Sequence, residues 1–147
     1  MTTPFISIYE IFLNQILDER FLKTLSLENQ EMLLQTALLQ AVIDFDNSVI
    51  DLTFDLENKC FLNELTYEET FMLANLMHLF WVRRQLEDER KIRQQLGNRD
   101  YQLYSPANHL KELMNLDASV YKRIKRMKYN YTLKHHMKKR KVESNGE

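Results

Sequence analysis

Apolar residues recur every three or four positions along most of this chain, the spacing of an amphipathic helix. A first stretch follows Pro4 and runs from about Phe5 to Leu22, with Tyr9, Phe12, Leu13, Ile16 and Leu17 on one side. A second begins after Ser26, an N-capping residue type, with Glu28 in the first turn. It sets Leu33, Leu34, Ala37, Leu38, Ala41 and Phe45 on a broad apolar face. A third opens at Thr66 and Glu69, which have capping-box spacing ahead of an apolar run. From Phe71 to Val82 the apolar positions go almost all the way round, as in a buried central helix. Leu73, Leu76, Met77, Phe80 and Trp81 are therefore expected in the core. The pattern turns polar through "RRQLEDERKIRQQ", and Gly97 is expected to end the helix as a left-handed C-cap.

The stretch "DYQLYSPANHLKEL" crowds tyrosines, Asp100, Ser105, Asn108 and His109 together and so draws attention as a possible site. Its pattern is that of a helix start. Ser105 is an N-cap residue and Pro106 takes the first helical position, where its missing N–H costs nothing. Leu110, Leu113, Leu116, Val120, Ile124, Met127 and Tyr131 then recur at helical spacing, which predicts one helix of up to about 28 residues. His109, in the first turn, is expected to be a neutral polar contact rather than a base, because the helix dipole disfavours a cation there.

Between the second and third patterns the period changes. In "SVIDLTFDLEN" Ile50, Leu52, Phe54 and Leu56 alternate with other residues at a period of two. An irregular connection is the default expectation over 47–63, with a short strand or hairpin at 48–63 as the alternative. Such a hairpin cannot stand alone in water and would have to pack on the helices or on a neighbouring chain.

The length of 147 residues suits one domain, and two glycines and two prolines are too few for the turns of a sandwich or barrel. The fold class expected is all-α, a bundle of about four helices with a long C-terminal helix. Residues 1–135 form the single domain and 136–147 a basic, polar tail. One cysteine, Cys60, allows no internal disulfide. No window is apolar enough to span a membrane, and the first residues do not have the pattern of a secretory signal. A cytosol-made protein, without membrane contact, is the expectation.

The net charge of −1 hides a strong polarity. Residues 1–82 hold 3 Lys/Arg and 13 Asp/Glu, whereas 118–142 hold 10 basic residues and no acid. Lys122, Arg123, Lys125, Arg126 and Lys128 flank the apolar stripe, and Lys138, Lys139, Arg140 and Lys141 follow. Three readings remain open: a solvated helix, contact with acidic protein including the acidic half of another copy, or contact with nucleic-acid phosphates. Protein contact is preferred, because the flanked stripe itself needs a partner surface. "KKRK" also fits a nuclear-import pattern, but four residues recur often by chance.

Catalytic or cofactor chemistry finds no pattern here. The chain has no Gly-rich phosphate loop, no G-x-S-x-G and no CxxC or HxxxH. Adjacent His135 and His136 point about 100° apart on a helix and chelate poorly. His78 has two readings, a buried base or ligand and a hydrogen-bonded core histidine, and the second is expected. Glu68 and Glu69 sit at a helix start, where the dipole accounts for them. No enzyme, metal or cofactor is expected.

The order "F-x-x-IYEIFLNQI", "LTYEETFMLANLM-x-x-FWV", "RDYQLYSPANHLKEL" and "YNYTL" resembles a group of small tailed-bacteriophage virion proteins, the head–tail connector (adaptor or neck) proteins. The likeness covers most of residues 5–133 and is clearest over 65–113. The resemblance implies a homo-oligomeric ring, commonly of twelve copies, bound to the portal protein and to other neck or tail proteins. DNA would pass through its lumen, and the protein would reside in the virion after assembly in the host cytoplasm. The alternative from another class is a small helical DNA-binding regulator that uses the basic 118–141 helix. Such a reader usually presents a short recognition helix, whereas this one is long.

Overall fold

The computed structural model describes residues 1–16, 26–45, 50–104 and 109–146. Its elements in chain order are β1 (Thr3–Pro4), α1 (Phe5–Gln15), α2 (Leu27–Asp44), β2 (Phe54–Asp55), β3 (Cys60–Phe61), α3 (Tyr67–Tyr104) and α4 (His109–Asn145). The expected all-α bundle with a long C-terminal helix is present, and a small sheet is added at one end.

The core forms around the first half of α3. Every residue from Met72 to Leu79 is buried, two full turns with no face to solvent. Helix α1 contributes Phe5, Ile8, Tyr9 and Phe12, and α2 contributes Ala37, Leu38, Ala41 and Val42. The inner stripe of α4 adds Val120, Ile124 and Tyr131. Leu73, Leu76 and Met77 are buried as expected, while Phe80 and Trp81 are only partly covered. Val82, Leu86 and Leu113 make a smaller apolar cluster farther along the α3–α4 pair.

The local signals mostly act as their chemistry requires. The Ser26 hydroxyl accepts from the Asn29 amide at 3.3 Å and caps α2. At the start of α3 the Glu69 amide donates to Thr66 Oγ1 at 3.3 Å, and the Thr66 amide donates to Glu69 Oε2 at 2.8 Å. Both halves of the capping box are therefore made.

Several boundaries differ from expectation. Helix α1 ends at Gln15 rather than Leu22, because Ile16 takes extended backbone and turns into the core; residues 17–22 lie outside the described residues. Gly97 does break α3, but at φ 73°, ψ 170° it is not a left-handed cap, and helix resumes beyond it to Tyr104. That backbone region is open essentially to glycine alone. Helix α4 has 37 residues, not about 28, and carries on through the segment expected as a tail. No glycine or proline stands between Pro106 and Gly146 to stop it. Ser105 and Pro106 lie outside the described residues.

Among the described residues of 47–63, Phe54–Asp55 and Cys60–Phe61 form a short hairpin where an irregular connection was the default expectation; residues 47–49 lie outside the described residues. Strand β3 pairs antiparallel with β2, Phe54 opposite Phe61, and with β1, Thr3 opposite Phe61. The third strand comes from the N-terminus, and its Pro4 is tolerated because β1 lies at the sheet edge. Phe61 is fully buried, its ring 5.2 Å from that of Phe5 in an edge contact. The buried Thr3 hydroxyl accepts from the Leu65 amide at 2.8 Å and donates to the Asn63 carbonyl at 3.1 Å. These bonds fasten the sheet to the start of α3.

Candidate functional site

Helices α3 and α4 run antiparallel. Glu69 meets Tyr131, Arg83 meets Asp117 and Glu89 meets His109, so the paired positions converge toward the α3–α4 connection. The apolar stripe of α4 is thereby covered by α3 of its own chain. Leu113, Val120, Ile124 and Tyr131 are buried and only Leu116 of the stripe is exposed, so most of the stripe needs no second molecule and gives no ground for preferring protein contact.

Packing of that stripe turns the basic residues outward. Lys122, Arg123, Lys125 and Arg126 are exposed, and among the described residues none of them has an acidic partner. Lys125 Nζ lies 5.0 Å from the centre of the Tyr121 ring and the Arg83 guanidinium 5.4 Å, so one tyrosine faces two cations. Lys128 behaves differently. Its ammonium donates to the Asp44 carbonyl at 2.6 Å, at the C-terminus of α2 where unsatisfied carbonyls favour a cation. It serves this fold rather than an outer surface. Lys134 reaches Glu68 at 3.4 Å.

Beyond His135 the helix has no support from its own chain. Residues 136–146 are exposed without exception, Lys138, Lys139, Arg140 and Lys141 among them. Tyr129, Leu133 and Met137 are also exposed and fall four residues apart, so they form an apolar line on the side opposite Ile124 and Tyr131.

The buried join between α3 and α4 is polar at one point. Tyr131 Oη donates to Glu69 Oε1 at 2.8 Å, while the other Glu69 oxygen completes the capping box. Burial, and then the hydrogen bond to Glu69, holds the Tyr131 hydroxyl well above the usual tyrosine range. Glu69 is thus shared between a helix cap and an interhelix contact. His78 is buried, with Nδ1 lacking a hydrogen-bond partner, and does not match the expected hydrogen-bonded core histidine at that atom. Burial, then the positive charge of Arg123, pushes its pKa down to about 4. At neutral pH it is an uncharged ring against Trp81. His109 meets Glu89 Oε1 at 3.4 Å, a polar contact at the α3–α4 pair. Among the described residues no group of three His, Cys, Asp or Glu is placed to hold a metal.

A second surface has no counterpart in the sequence reading. The starts of α1 and α2 and the β2–β3 turn enclose an open cleft of about 410 Å³, lined in part by Ile6, Tyr9, Leu27 and Leu34. Glu31 and Lys59 form an ion pair across it. Lys59 is the one described non-glycine residue with positive φ, 53°, and its carbonyl accepts from the Phe5 amide at 2.9 Å. The turn before it is held by Asp55, whose carboxylate accepts from the Asn58 side chain at 2.6 Å and from the Glu57 amide at 2.9 Å. Those bonds, the Asn58 ones first, keep Asp55 below the usual carboxylate range. Tyr9 at the cleft wall is pushed up to about 12 by burial and then by Glu31. Three distant segments build this cleft, so no contiguous motif could have revealed it. No family model matches the chain, and no curated protein or solved structure is significantly similar to it.

Proposed function

We propose that this chain is a structural subunit of a tailed-phage neck, a head–tail connector that assembles as a ring on the portal protein with DNA passing through the lumen. The observation that carries the reading is the separation of charge in the folded chain. Most basic side chains of α4 face outward with no acidic partner of their own chain among the described residues. Thirteen of the 21 acidic residues fall in the first 82 positions, and the described ones include Glu10 on α1, Glu28, Glu31 and Asp44 on α2, Asp55 and Glu57 at the hairpin, and Glu68 and Glu69 at the start of α3. Two unlike surfaces on one small domain suit a head-to-tail contact, and such contacts close into rings when the rotation permits. The resemblance of segments 5–133 to connector proteins supports the same conclusion.

The second reading, a DNA-binding regulator, draws on the exposed run Lys122–Arg126 with Tyr121 beside it. It accounts for one of the two charged surfaces and leaves the acidic one without a role. Electron microscopy of the purified full chain separates the two. The ring reading expects annular particles without DNA. Monomers or dimers that bind duplex, with affinity falling steeply in salt, would establish the regulator instead.

A further inference from the structure

We propose that the cleft between α1, α2 and the β2–β3 turn receives the projecting end of α4 from a second copy of this chain, an inference that rests on the ring reading and locates its subunit contact.

The donor surface is the helix end. Its residues 136–146 touch nothing of their own chain closely enough to be covered, yet they continue a regular helix. Helical stability in proteins comes mainly from packing, and an unpacked helical end of this kind is marginal in water. Leu133 is 46% exposed and Met137 54% exposed, one turn apart, with Lys138 to Lys141 immediately after them. This end offers an apolar ridge with four cations.

The acceptor surface is complementary in both respects. Ile6 is 61% exposed and Leu27 84% exposed at the cleft lips, a large amount of aliphatic surface left in water. One helical turn after each comes a carboxylate, Glu10 after Ile6 and Glu31 after Leu27, with Glu28 and Glu57 adjoining residues of the lining. Of these four acids only Glu31 has a basic partner among the described residues, and that partner, Lys59, belongs to the cleft itself. The acidic rim disfavours a phosphate-bearing ligand and favours a cationic one. The only strongly basic segment of the chain is 118–142. Donor and acceptor are different surfaces, so each copy keeps one of each free for the next, which is the requirement for a closed ring.

Two measurements on the full chain test this. In a Cys60→Ser background, chains carrying Leu27→Cys and chains carrying Met137→Cys are mixed under mild oxidation. A disulfide-linked dimer should form in the mixture and in neither variant alone. Separately, Lys138, Lys139, Arg140 and Lys141 are all changed to Glu, and association is followed by light scattering. Four rim charges acting together should weaken association at least about tenfold, and Glu10→Lys, Glu28→Lys and Glu57→Lys in the same chain should restore it. An unsubstituted chain that stays monomeric at every concentration overturns the ring reading itself. A ring that forms normally with the reversed tail, or that shows no Leu27–Met137 cross-link, overturns the docking alone. Loss of duplex DNA binding in the reversed tail, with the ring intact, assigns the segment to nucleic acid and likewise overturns the docking.

Discussion

Two stretches of helix in this molecule are built alike and used in opposite ways. From Met72 to Leu79 α3 is buried on every side, and from His136 to Asn145 α4 is exposed on every side. The first is apolar round its circumference except for Asn75 and His78, and its stability comes from neighbours in the same chain. The second carries four Lys/Arg among its ten residues and is not covered by its own fold. A helix whose sequence forbids burial still costs ordering entropy, a cost that the proposed contact with a second copy would offset. Stability and assembly are therefore expected to reside in separate parts of the molecule.

The largest effect that would break this contrast is loss of a core aromatic. Phe61→Ala empties a fully buried site beside the Phe5 ring and should cost about 3–5 kcal/mol. Urea denaturation checks it, and a loss below about 1 kcal/mol would mean that the sheet does not belong to the cooperative core. Next comes the join of the two long helices. Tyr131→Phe keeps the ring on Phe45 but removes the hydroxyl from buried Glu69, with an expected cost of about 1.5–3 kcal/mol. The same denaturation series shows whether the capping box alone can satisfy Glu69.

A smaller, pH-dependent effect comes from His78. Its folded pKa of about 4 lies below the unfolded value near 6.5. Between those values the unfolded chain binds a proton that the native chain does not, so stability falls as pH drops from about 6.5 to about 4. The slope for one such group reaches about 1.4 kcal/mol per pH unit. Replacing His78 with Gln should flatten that part of the stability profile, and an unchanged profile would show that the ring is not held neutral.

Much of this organisation was legible from residue order. The capping box at Thr66 and Glu69, the cap at Ser26 and the all-round apolar run of α3 each rest on local chemistry, and each is present. The hairpin was legible only as an alternative, because its turn, Leu56 to Lys59, contains no glycine and relies on Asp55 bonds and a positive φ at Lys59. Strand β1 had no signal at all. Two residues carry no period, and Thr3 acquires its role only when Leu65 and Asn63 come to it. The basic residues stand together in the sequence, but sequence could not tell that Lys128 turns back to cap α2 while its neighbours face solvent. The cleft was invisible for the same reason: Ile6, Leu27 and Lys59 meet only through the tertiary fold.

The division of labour is tested most directly by measuring unfolding midpoint and solution mass on the same two full-length variants. Phe61→Ala should lower the midpoint while leaving, below its transition, the mass of the unsubstituted assembly. The fourfold Lys138, Lys139, Arg140 and Lys141 to Glu variant should do the reverse, with stability within about 0.5 kcal/mol of the original and a mass reduced toward the monomer. If the tail variant loses stability as well, or keeps its assembled mass, the exposed end of α4 is not a separate assembly element.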